Sequence, residues 1–216
     1  MGSDTDGHRG IELAIYTTMG LTIHYKGILK KPEMVYPLIE EMSDVAQSMG
    51  WNYQVMDNDW DLPNTSFIDS EGSIQGHLPL KGILIKMHTK CESFSLLFDA
   101  KGRMTNMVTM ALGENEADWQ HTKTQFAPVE IHISMVKLMK YLSNRYFKQF
   151  EVFDEGKFWE TDDEALLTQK HSFLGDMISK LGDALDKGLN DESVNNQGLV
   201  ERIEAIITEM HKRSRK

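Results

Sequence analysis

The chain has 216 residues, 23 Lys+Arg against 33 Asp+Glu, a formal charge of -10 and one cysteine. The charge argues against nucleic acid and against an anionic membrane surface, since both need a basic face. The lone Cys91 excludes a disulfide framework and a four-cysteine metal site, and fits a reducing compartment.

The first ten residues (MGSDTDGHRG) have turn-former composition and no hydrophobic period. We read residues 1–18 as a flexible extension, with Met19-Gly20 as an alternative start. The apolar-leaning run Ile11–Ile23 is interrupted by Glu12, Thr17, Thr18, Gly20 and Thr22, too short and too polar to span a bilayer. Its leading residues carry acids as well as bases, so no signal peptide is expected and the cytoplasm is the default location.

Leu21–Gly27 alternates apolar and polar residues, which predicts a half-buried strand with Leu21, Ile23 and Tyr25 inward and Thr22, His24 and Lys26 outward. Met34 to Met49 follows a helical period that stops at Gly50, and Trp51–Met56 reads as a strand. Residues 57–79 are rich in Asp, Asn, Ser, Gly and Pro and predict a long loop. Strands are expected at Ile83–His88, Glu92–Asp99 and Met104–Leu112, the last two joined by a turn at Gly102. Met104, Met107 and Met110 cannot share one face of such a strand, so it should bulge or expose one of them.

Pro128–Tyr146 predicts a helix and Phe147–Asp154 a strand. Thr161-Asp-Asp-Glu164 has the form of a capping box, opening a helix that stops near Gly188. A last amphipathic helix is expected at Leu199–His211, with Ile203, Ile206, Ile207 and Met210 on one face. This order predicts an α+β fold: an antiparallel β-sheet with helices packed mainly on one face, plus C-terminal helices. Residues 19–188 form the α+β domain, and 189–216 a linker and C-terminal helix through which a homo-oligomer could assemble.

The charge is uneven. Pro32 to Leu80 contains nine acids and no Lys or Arg, leaving 24 acids against 23 bases elsewhere. The stretch is either a solvated face or a surface that meets a cation or basic partner. The case against nucleic acid is strongest there and weaker for the near-neutral remainder.

Three blocks, Lys123-Thr-Gln-Phe-Ala-Pro-Val-Glu-Ile-His132, Val136–Leu142 with Tyr146, and Glu151-Val-Phe-Asp-Glu-Gly-Lys-Phe-Trp-Glu-Thr161, resemble a group of uncharacterised bacterial proteins. Met19-Gly-Leu-Thr-Ile-His-Tyr25 is similar as well. The resemblance covers roughly residues 19–180 and implies a soluble bacterial protein without supplying a mechanism.

No P-loop, dinucleotide fingerprint, HExxH, GxSxG or paired CxxC is present. Three constellations could carry chemistry. Glu130 and His132, with His24 and His121 brought in by the fold, would suit a transition metal; on a helix, residues two apart do not share a face. Asp154, Glu155 and Glu160 surround an aromatic turn and could divide acid and base roles, with Gln125, Trp159 and Thr161 as ligand contacts. Asp57, Asp59 and Asp61 begin a calcium-loop pattern, but Leu62 and Ile68 stand where Gly and Glu are required. Each has a plainer reading in helix capping, turn formation or core filling.

The leading expectation is a non-enzymatic module that binds a small ligand or a protein partner on its sheet face, or between sheet and helix. The alternative is a metal-dependent or acid/base hydrolase using a His/carboxylate cluster. For that, at least three of His24, Glu130, His132, Asp154, Glu155 and Glu160 should meet in one cleft, within about 4–6 Å of a neighbour. No substrate or cofactor is identified.

Overall fold

The computed structural model describes residues 21–113 and 118–190. The N-terminal extension with Met19, the amphipathic segment Leu199–His211, the self-association assigned to it and the basic tail lie outside the described residues.

The fold is α+β, with antiparallel sheets and helices. Strands β1 (Thr22–Leu29), β7 (Gln120–Lys123) and β8 (Phe147–Asp154) form one sheet in the order β7-β1-β8. Strands β2 (Asn52–Asp57), β5 (Lys81–Lys86) and β6 (Phe94–Phe98) form a second in the order β2-β5-β6. Residues 103–105 join the two, because the Met104 amide donates to the Gly27 carbonyl at 2.9 Å and the Thr105 amide to Leu97 at 3.1 Å. The Tyr25 hydroxyl adds a second joint, donating to the Ser95 carbonyl at 3.1 Å and accepting its amide at 2.9 Å.

Helix α1 (Val35–Ser48) packs on β5 and β2, and α3 (Val129–Tyr146) packs on β8. A short helix α4 (Phe158–Thr161) and the long α5 (Glu164–Asn190) follow β8. Val35, Leu38, Met42 and Ala46 of α1 and Met135, Val136, Met139 and Leu142 of α3 close over Ile23, Tyr25, Ile83, Phe94, Leu96 and Phe98. Each large apolar side chain taken out of water contributes about 1.5–3 kcal/mol, which makes this layer the main stabilising element.

The second face of β2-β5-β6 has a smaller core of Leu78, Leu80, Leu97 and Met110. The segment 57–79, expected as a long loop, contains the short hairpin β3 (Phe67–Ile68) and β4 (Ile74–Gln75). Trp60 anchors it by donating from Nε1 to the Phe98 carbonyl at 3.3 Å. Lys81 is ion-paired with Asp57 and lies over the rings of Tyr36 and Trp60.

The strand expected at Met104–Leu112 is also corrected. Met107–Ala111 is a short helix, α2, whose Asn106 side chain caps the Thr109 amide at 2.8 Å. Met107 and Met110, three residues apart, fall on one side of a helical turn and meet the small core, which resolves their mismatched strand parity.

Candidate functional site

β1 separates the candidate residues into two groups, because alternate side chains leave a strand on opposite faces. Ile23 and Tyr25 enter the core, while Thr22, His24 and Lys26 face outward. In β8 the register pairs Ile23 with Asp154 and His24 with Phe153, so Asp154 faces inward and Phe153 outward.

On the inner side, the His132 and Asp154 side chains are 1% and 0% exposed, with Nε2 3.1 Å from Oδ1. That approach lies off the N–H direction, leaving Nε2 without a well-aligned hydrogen bond. Nδ1 lies 2.8 Å from the Thr124 hydroxyl, which itself donates to the Leu21 carbonyl at 3.1 Å. Asp154 accepts the Gly156 amide at 2.7 Å on Oδ1 and the Trp159 amide at 2.9 Å on Oδ2. Burial pushes the Asp154 carboxyl up, but the adjacent His132 and these two amides outweigh it and hold the group below its ordinary value.

This arrangement ties together the β1 start, the turn after β7, α3, the end of β8 and α4. Gly156 fits because it has no side chain: a Cβ there would lie 2.7 Å from Leu167 Cδ1 and 3.0 Å from both Asp154 Oδ1 and His132 Nε2. The groups are closed off from solvent, and the carboxylate is taken up by backbone donors.

On the outer side, Glu155 accepts the Thr22 amide at 2.8 Å on Oε2, and its Oε1 lies 3.8 Å from His24 Nε2. His24 pairs across β1 with His121, with ring centroids 6.3 Å apart, and with Phe153 at 5.9 Å. Three rows therefore cross the open face: Lys123, Thr22 and Glu155; His121, His24 and Phe153; Trp119, Lys26 and Glu151. Trp119 is 40% exposed and Phe153 36% exposed. Lys26 lies over the Trp119 ring at 4.8 Å and reaches Glu151 at 3.2 Å, while Lys157 lies over Phe153 at 5.1 Å.

The remaining candidates lie elsewhere. Glu130 is exposed in the first turn of α3, where its charge complements the helix dipole. Glu160 is exposed, 3.9 Å from Lys157. Trp159 is half-buried against Phe150 and lies under Lys140. Gln125 is buried, and its Oε1 has no hydrogen-bond partner. Thr161 does not cap α5 as the box pattern predicts: Asp163 does so, accepting the Leu166 amide at 2.9 Å, while the Thr161 hydroxyl donates to the Lys157 carbonyl.

The six proposed catalytic residues thus divide into His132 with Asp154 inside, His24 with Glu155 outside, and Glu130 and Glu160 apart on helices. Asp57 is engaged by Lys81, and Asp59 accepts the Asp61 amide at 2.9 Å. Among the described residues no three His, Cys, Asp or Glu side chains are arranged to hold a metal ion. Cys91 is buried, and burial pushes its thiol up, away from the reactive thiolate.

Sequence reasoning missed the outward placement of Trp119 and Phe153. β7 carried no hydrophobic period because its inward residues are Gln120 and Thr122, which are polar. Among the described residues no helix is long and apolar enough to cross a membrane. No family model matches the chain, and neither a curated protein nor a solved structure is detectably similar to it.

Proposed function

We propose that the chain is a non-enzymatic binding module that docks a partner protein on the outer face of β7-β1-β8. The observation that carries this reading is the row His121, His24 and Phe153, which stands exposed or half-buried beside Trp119 on a sheet whose other face is filled by the core. His121 is exposed, and Phe153 is part-exposed beneath Lys157. Aromatic side chains at the centre of a polar rim are the usual composition of protein-binding hot spots. Glu151 and Glu155 stand among the lysines of the same face, so it lacks the uniform positive field that a phosphate backbone needs.

The hydrolase reading draws less support. Its best-assembled pair, His132 and Asp154, is sealed from solvent, and a catalytic group must reach its substrate.

The test is site-specific photo-crosslinking in the native cells. A benzophenone side chain at position 121 should give an adduct of one discrete mass. The same group at Gln169, exposed on α5, should not give it, and Phe153→Asp should remove it. Equal adducts at 121 and 169, or an adduct indifferent to Phe153→Asp, would contradict the proposal.

A further inference from the structure

β2 has no strand on its outer side among the described residues: the sheet order β2-β5-β6 leaves it at the edge. In an antiparallel ladder only alternate residues direct N–H and C=O to the partner, so the others point away from β5. Natural edge strands are generally protected by Lys, Pro, a bulge or shortness. β2 (NYQVMD) contains no Lys or Pro, and its register with β5 is unbroken over all six residues. Tyr53 and Val55, at its middle, are each 42% exposed.

The sequence around this edge is predominantly acidic. β2 lies within the stretch Pro32–Leu80, which has nine acids and no Lys or Arg. Glu40 and Asp44 are exposed on α1, which packs against β2, and Asp59 and Asp61 are exposed just beyond its end. Two lysines of β5 stand opposite β2: Lys81 is ion-paired with Asp57, while Lys86, opposite Asn52, donates to the neutral Cys91 carbonyl and keeps its charge, so the acidic excess lies on α1 and beyond the Asp57 end of the strand.

We infer that the β2 edge receives an extended, Lys/Arg-rich segment of a partner protein by strand addition. The backbone of β2 supplies the pairing groups, Tyr53 and Val55 supply apolar contact, and the acidic flanks select the charge. A second copy pairing β2 with β2 would bring two acid-flanked strands together, which disfavours self-pairing. This surface is distinct from the aromatic row on β7-β1-β8.

The probe is a labelled octapeptide alternating Lys with Val and Thr, compared with its Glu counterpart by fluorescence anisotropy on the full chain. The Lys peptide should bind saturably and weaken on the order of tenfold when salt rises from low to high ionic strength. It should also slow exchange of alternate amides within Asn52–Asp57. Tyr53→Lys with Val55→Lys should reduce affinity at least about tenfold without lowering Tm, because both side chains are exposed. Asp59→Asn with Asp61→Asn should weaken binding several-fold and reduce its salt dependence.

Equal binding of the Glu peptide, or unchanged exchange in β2, would overturn the inference. So would a dimer that dissociates in the Tyr53/Val55 variant, which would make a second copy the occupant. Tighter probe binding after Lys212, Arg213, Arg215 and Lys216 are changed to Glu would assign the edge to the chain's own tail and equally overturn it.

Discussion

Asp154 ties the local structure together, because it accepts two backbone amides while facing His132 at a position shielded from solvent. An asparagine has one acceptor oxygen for the two amides of Gly156 and Trp159 and sets an N–H against the other, so Asp154→Asn should lower the unfolding free energy by about 1–3 kcal/mol in urea titration. Its pH dependence has a definite sign. The folded carboxyl lies below its ordinary value, so its contribution is present above that value and is lost as pH falls through the folded one. Wild type should therefore lose stability on acidification below about pH 5 more steeply than Asp154→Asn. Gly156→Ala should cost about 1–3 kcal/mol by overpacking against Leu167 and the His132–Asp154 pair, measurable as a lower Tm. The identities of His132 and Asp154 were legible in the sequence as chemistry-bearing residues. Their burial was not, because neither a polar residue on a helix, His132, nor one at the end of a strand, Asp154, shows in the sequence whether it meets water or the core.

Among the elements, α1 and α3 are clamped through one carboxylate. Glu41 of α1 accepts hydrogen bonds from Tyr141 and Tyr146 of α3 and lies 3.1 Å from Arg145 Nε. Burial raises the Glu41 carboxyl, and the two tyrosine hydroxyls and Arg145 bring it below its ordinary value. Tyr146→Phe removes one of these bonds and should cost about 1 kcal/mol in chemical denaturation. α1, α3 and β8 were legible because their apolar residues keep a clear period or sit between strong turn signals. β7 and α2 were not. β7 has polar residues at its buried positions, and α2 is a five-residue turn in a Met-rich segment whose spacing suits a helix as well as a bulged strand. The capping residue at α5 was misplaced by two positions, since Thr161 and Asp163 both offer side-chain oxygens and only the geometry selects Asp163.

At the scale of the molecule, the net charge of -10 describes one region rather than the whole, and that region includes α1, β2 and the segment holding the β3–β4 hairpin. The aromatic row lies on the other sheet, where lysines and glutamates alternate. This separation makes the two surfaces independently testable. Raising ionic strength should weaken a basic ligand at the acidic edge much more than a partner held by aromatic contacts at the row, and comparative titration of the two interactions would show it. The outward parity of Thr22, His24 and Lys26 was legible from sequence. That Phe153 and Trp119 join them required the pairing of β1 with β8 and β7, which no local pattern encodes. Phe153 and Asp154 are chain neighbours on opposite faces of one strand, so they provide the most direct test. Tm and crosslinking from position 121 should be measured together in Phe153→Asp and in Asp154→Asn. Phe153→Asp should lose the adduct at temperatures where it is still folded, whereas Asp154→Asn should lower Tm more and keep the adduct below its transition. Loss of the adduct in folded Asp154→Asn, with retention in Phe153→Asp, would contradict this account.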